Sequence, residues 1–79
     1  MTFNQAFAIR VRELLKKQKM SQHQLEQETG LYHSTMNSIL NKVKASNFKS
    51  IALIVRALNI SFTDFFNSSV FDFDNLDIE

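Results

Sequence analysis

The apolar positions of this chain recur mostly at the 3.6-residue spacing of amphipathic helices. Phe7, Val11, Leu14 and Leu15 share one face of a first helix, while Arg10, Arg12, Lys16 and Lys17 mostly fall elsewhere. Thr2 and Gln5 have the residue types and spacing of a capping box at its start. Ser21 with Gln24 repeats that signal for a second helix, and Met20 and Leu25 are spaced as a hydrophobic staple. The second helix should stop at Gly30, where a left-handed residue is needed, with Leu31 packing back on the helix just ended. A third helix is predicted from about His33 to Leu40, with Met36 and Ile39 inward and His33, Ser34 and Asn37 outward. A polar loop from Asn41 to Asn47 follows. Asn47 can then cap a fourth helix whose buried face would be Phe48, Ile51, Ala52, Val55 and Leu58, and Asn59 can take a left-handed terminating conformation. Ser61 with Asp64 caps a short fifth helix through Asn67 that buries Phe62, Phe65 or Phe66. Five short helices on short joints predict an all-α fold, a compact orthogonal five-helix domain over residues 1–69, rather than a bundle of long helices.

Composition narrows the classes of function. A chain of 79 residues holds one domain with a marginal core, which oligomerisation would help. The lack of Cys excludes a disulfide framework and a Cys-based zinc site and points to a reducing, cytoplasmic setting. No stretch approaches the roughly 20 apolar residues of a membrane span, and the start of the chain has no signal-peptide core. One Gly cannot make a glycine-rich phosphate loop, and Ser21 and Ser34 have no base-and-orienter pair. His23 and His33 lie on different helices with no Cys or acid cluster to complete a metal site. Catalysis, a metal and a cofactor are therefore not expected. The net charge of +1 hides an asymmetry, because all nine Lys and Arg precede Ile60, whereas five of the eight acids follow it. A cationic body suited to a polyanion is followed by an acidic segment.

The segment SQHQLEQETGLYHSTMNSIL, with NISFTDFF closing the domain, resembles the Cro/repressor-type helix-turn-helix family, also called lambda-repressor-like or XRE-like. The resemblance covers about Val11 to Phe66. It rests on Ser21-Gln22, Leu25, Gly30, the apolar Leu31, Met36 and Ile39, and the run from Ala57 to Ser61. It implies a helix-turn-helix in which the third helix enters a major groove of double-stranded DNA. By position, it implies that His33, Ser34 and Asn37 read bases with support from Gln22. Tyr32, Asn41, Lys42, Lys44 and Asn47 would then contact phosphate or sugar. Two departures stand out. Glu26 occupies a position after Leu25 where the family usually has Ala, so its carboxylate must snorkel or pair. Tyr32 stands where a Ser cap is common, which weakens the start of the third helix.

These features lead to a sequence-specific DNA-binding regulator, a repressor acting as a homodimer on inverted half-sites. The alternative is an antitoxin of a toxin-antitoxin pair, or an adaptor that keeps the fold for protein contact. Residues 70–79 form a separate acidic and apolar tail. The alternation of Phe71-Asp72-Phe73-Asp74 and of Leu76-Asp77-Ile78-Glu79 reads as an extended strand in need of a partner. Three fates stay open for it: a frayed terminus, a dimer interface built from Phe66, Val70, Phe71 and Phe73, or a grip on a protein partner. The dimer reading rests on eight Phe, more than one small core readily holds.

Overall fold

The computed structural model describes residues 1–41 and 44–78. The described residues form five α-helices and no strand: α1 Phe3–Gln18, α2 Gln22–Thr29, α3 His33–Leu40, α4 Phe48–Ala57 and α5 Phe62–Phe66. Two 3-10 turns follow, Ser69–Phe71 and Phe73–Asn75. None of the helices among these residues is long and apolar enough to cross a membrane.

Local chemistry sets the helix ends. Both predicted capping boxes form: Thr2 Oγ1 accepts from the Gln5 N–H at 3.1 Å while Gln5 Oε1 accepts from the Thr2 N–H, and Ser21 and Gln24 repeat the exchange. Asn47 caps α4 through the Ser50 N–H, and Ser61 caps α5 through the Asp64 N–H. Gly30 and Asn59 take the expected left-handed conformation, and Lys19 ends α1 in the same way. Tyr32 begins α3 with no side-chain cap, as its chemistry requires.

The core is Phe7, Val11, Leu14 and Leu15 of α1, Leu25 of α2, Met36, Ile39 and Leu40 of α3, Ile51, Ile54 and Val55 of α4, then Leu58 and Phe65. The face of α4 is turned relative to the sequence reading. Ile54 is fully buried, Ala52 lies at the rim and Phe48 is 89% exposed. The stripe that packs is Ile51-Ile54-Val55-Leu58, and Phe48, at the first position of the helix, projects beyond the elements that cover it.

α1 also terminates three other helices. Arg10 donates to the carbonyls of Asp64 and Phe65 at the end of α5, and Gln18 donates to the Leu58 carbonyl at the end of α4. Arg12 donates to the Leu40 carbonyl and to Asn41 Oδ1 at the end of α3. The last carbonyls of a helix lack intrahelical partners and carry the negative end of its dipole, so a guanidinium there is favourable. Arg10 and Arg12, counted above in the cationic body, are thus tied to helix ends of their own chain, Arg10 half-buried and Arg12 exposed.

The segment after Ser69 packs on the body as tight turns rather than as a strand. Phe71 lies against Phe3, Phe65 and Phe66 with ring centroids 4.9–5.9 Å apart. Asn75 Nδ2 donates to the Ser69 carbonyl, and the Asp77 N–H donates to the Met1 carbonyl at 2.7 Å. The one strand-like feature among the described residues is an isolated parallel bridge between Thr2 and Asp77. The polar-apolar alternation misleads here because a 3-10 turn has three residues per turn, not two.

Candidate nucleic-acid interface

α2 and α3 are joined at Gly30, whose N–H donates to the Glu26 carbonyl. Thr29 tightens this joint, since its hydroxyl donates toward the Leu25 carbonyl and accepts from the Leu31 N–H. With Met36 and Ile39 buried, α3 presents His33 and Ser34 to solvent, and Asn37 is half-exposed. Tyr32, at the turn, is 82% exposed. Gln22 sits half-buried at the start of α2.

Four of the residues singled out from the sequence belong to one chain of hydrogen bonds. His33 Nδ1 lies 2.8 Å from Glu26 Oε2, and the same oxygen accepts from Gln22 Nε2 at 3.0 Å. Gln22 Oε1 accepts from Asn41 Nδ2 at 3.4 Å, and Asn41 Nδ2 also reaches Asn37 Oδ1. Arg12 anchors the far end through Asn41 Oδ1. A carboxylate and an arginine, neither of them among the expected contact residues, therefore join the set: Glu26 links His33 to Gln22, and Arg12 holds Asn41. Glu26 is the misfit whose carboxylate must pair, and it pairs. The role of Arg12 has no local signal, because its partner lies 29 residues away.

Glu26 is 9% exposed. The Gln22 amide holds its carboxyl below the usual carboxylate range; burial opposes this, and the hydrogen bond and charge of His33, with the charge of His23, add to the lowering. It stays ionised through the neutral and mildly acid range.

Beside α3 a groove is lined by Ser34, Thr35, Ser38, Lys44, Ser46, Asn47 and Ser50. The Lys44 N–H donates to the Ser38 carbonyl at 2.9 Å, which ties the loop to α3 and leaves the Lys44 side chain on the surface. Asn47 spends its oxygen on the α4 cap and keeps its amide N–H groups to donate. Lys42, also expected at phosphate, lies outside the described residues. The N–H groups of Gln22 and His23, and those of Phe48 and Lys49, precede the first intrahelical bonds of α2 and α4 and are oriented to meet an anion. The expected dimer residues separate into two environments. Phe66, Val70 and Phe71 are half-buried against their own chain, whereas Phe73 is 84% exposed.

An exposed short helix presented by a tight joint, edged by amides and a lysine, can enter a groove of DNA and hold phosphate on either side. Residues 10–68 match the family described as the Cro/C1-type HTH DNA-binding domain. No match was found among curated proteins or among solved structures.

Proposed function

Because the chain belongs to the Cro/C1-type HTH DNA-binding domain family, it is a DNA-binding regulator, and we propose that it represses transcription by occupying an operator with inverted half-sites as a homodimer. The observation that carries this reading is the hydrogen-bonded chain that links His33 and Asn37 of α3 with Gln22 at the start of α2. His33, Ser34 and Asn37 read base edges, and Gln22 supports them. Asn suits adenine, where it can both donate and accept. Lys44, Lys42 and Tyr32 hold phosphate or sugar, and Asn47 offers it amide donors. Asn41, whose amide hydrogens are directed at Gln22 and Asn37, meets phosphate by exchanging one of those bonds. Two-fold symmetry would set the two α3 helices about 34 Å apart, one turn of DNA. Phe73, which is exposed, is the centre of the surface that pairs the two copies, with the half-buried Phe66, Val70 and Phe71 contributing to it. Regulation follows from occupancy and uses no cofactor and no chemical step.

Selection of bound DNA from a random pool tests the reading. The native protein should enrich a motif with two inverted halves. Asn37→Ala should relax the preference at particular positions by about 1–3 kcal/mol. Lys44→Ala should weaken every sequence alike and lower the salt slope by about 0.9 log unit for each phosphate it no longer neutralises. A reporter with the selected site over its promoter should lose expression when the protein is present, and Phe73→Ser should convert a dimer to a monomer by mass in solution. Recovery of no motif by the native protein would refute DNA recognition by this face.

A further inference from the structure

Glu26 holds more than the joint in place. A carboxylate accepts hydrogen bonds and, when ionised, donates none. The hydrogen in its 2.8 Å contact with His33 therefore belongs to Nδ1 of the ring. A neutral imidazole carries one ring hydrogen, so Nε2, on the other side of the ring, is left with a lone pair. His33 is the first residue of α3 and its side chain is 74% exposed, so this second nitrogen stands where α3 meets a base. The Gln22 amide is oriented by the same oxygen, since only its nitrogen can face a carboxylate.

We infer that Glu26 is a positioning residue that sets which bases His33 reads. With the ring neutral, Nε2 accepts a hydrogen bond from an exocyclic amino group, cytosine N4 or adenine N6. With the ring protonated, the same atom donates to guanine N7 or O6. This inference rests on His33 touching base edges as proposed above. Among the described residues, the groups around the ring leave Glu26 as its one anionic neighbour. On α2, His23 Nδ1 lies 4.0 Å from Glu26 Oε1 and Gln22 is neutral. Tyr32 precedes the ring, and Ser34 and Asn37 follow it on α3. From α1, Arg12 is connected to the ring only through Asn41, Gln22 and Glu26 in turn. From the loop before α4, Lys44 lines the groove beyond Ser34.

The test is selection from a random DNA pool at pH 8 and at pH 5, the range across which imidazole chemistry changes, with the full chain and two variants. His33→Ala marks the position that the ring reads, because preference there should vanish at both pH values. At that position the native protein should favour cytosine or adenine at pH 8 and shift toward guanine at pH 5, by on the order of fivefold. Glu26→Gln keeps the shape but can present either an N–H or an oxygen to Nδ1. It should admit both ring tautomers, accept guanine already at pH 8 and flatten the change with pH. A gain in affinity shared by all sequences at pH 5, with preference unchanged, overturns the inference, as does a Glu26→Gln profile that follows the native one. Both outcomes leave a His33-dependent position standing and so spare the reading of DNA by His33. A motif with no such position removes that reading together with the inference. Nitrogen-15 imidazole spectra of the free protein at pH 8 give an independent check: hydrogen on Nδ1 of His33 is expected, and hydrogen on Nε2 would refute the positioning role.

Discussion

Two clusters of side chains hold this small protein, one aromatic and one polar, and they do different work. At the end where α5 and the C-terminal turns meet α1, Phe3, Phe7, Phe65, Phe66 and Phe71 form a continuous group, with paired rings 4.9–6.5 Å apart at angles from 22° to 79°. Such a spread means that no single ring orientation is required. Burial of area and dispersion do not depend sharply on direction. At the α2–α3 joint, Glu26, Gln22, His33, Asn41, Asn37 and Arg12 are linked atom to atom, and moving any one unmakes a specific bond. The aromatic end stabilises the fold, while the polar joint aims the groups that fold presents.

The comparison is broken most severely at Phe65, which is fully buried and touches Phe7, Phe66 and Phe71. Phe65→Ala should cost about 3–5 kcal/mol, from lost burial and the cavity left behind. Domains are commonly stable by about 5–15 kcal/mol, so much of the margin would go. Thermal unfolding followed by circular dichroism measures this, and a loss below about 1 kcal/mol would show that the aromatic end is not what holds the fold.

Next in size is Gly30→Ala. An added Cβ would meet nothing within 4 Å, so sterics with neighbours contribute no cost. The φ of 73° remains, and a left-handed conformation costs a residue with a Cβ roughly 1–2 kcal/mol. A drop in midpoint temperature without a change in DNA preference is expected. A change in preference at unaltered stability would mean that Gly30 acts on the angle of α3 rather than on backbone strain.

What could be read from the sequence follows the same division. Caps and stops are decided within a few residues, so Thr2 with Gln5, Ser21 with Gln24, Gly30, Asn47, Asn59 and Ser61 announce themselves. The inward face of α3 is equally plain, because Met36 and Ile39 recur at helical spacing, and the structure adds Leu40 to it. Glu26 is visible as an acid on a packed face, yet its partner His33 is on another helix and cannot be found by periodicity. The contacts of Arg10, Arg12 and Gln18 reach 28 to 55 residues along the chain and leave no local trace. Phe48 is misread for a related reason, because spacing puts it beside the α4 stripe but cannot tell where the covering elements end. The polar joint is therefore legible as a set of candidates and not as a circuit.

Acid should separate the two clusters, with an effect on stability smaller than that of Gly30→Ala. The carboxyl of Glu26 titrates lower in the folded chain than in the unfolded one, whose ordinary value is 4.5. The unfolded state then binds the proton more readily. The stabilisation from Glu26 is complete above that ordinary value and is lost as pH falls through the lower folded value. Glu26→Gln cannot ionise, so the difference in stability between native and variant should be greatest near neutral pH and shrink toward pH 3. Denaturant unfolding at several pH values checks the sign. Phe65→Ala should show a loss nearly independent of pH, and a gap between native and Glu26→Gln that widens in acid would contradict the assignment.

The smallest change is expected at Phe48, which supplies the control inside the aromatic set. It has the same side chain as Phe65 but stands 89% exposed at the first position of α4, outside the ring cluster. Phe48→Ser should move stability by no more than about 0.5 kcal/mol, as exposed substitutions usually do. Serine also leaves the Asn47 cap and the Ser50 N–H untouched, so the start of α4 should persist. A loss approaching that of Phe65→Ala would mean that Phe48 is covered in solution, by a second copy or by DNA-free closure of the loop before it. Measuring the variant at two protein concentrations separates these, because only association between copies makes the loss depend on concentration.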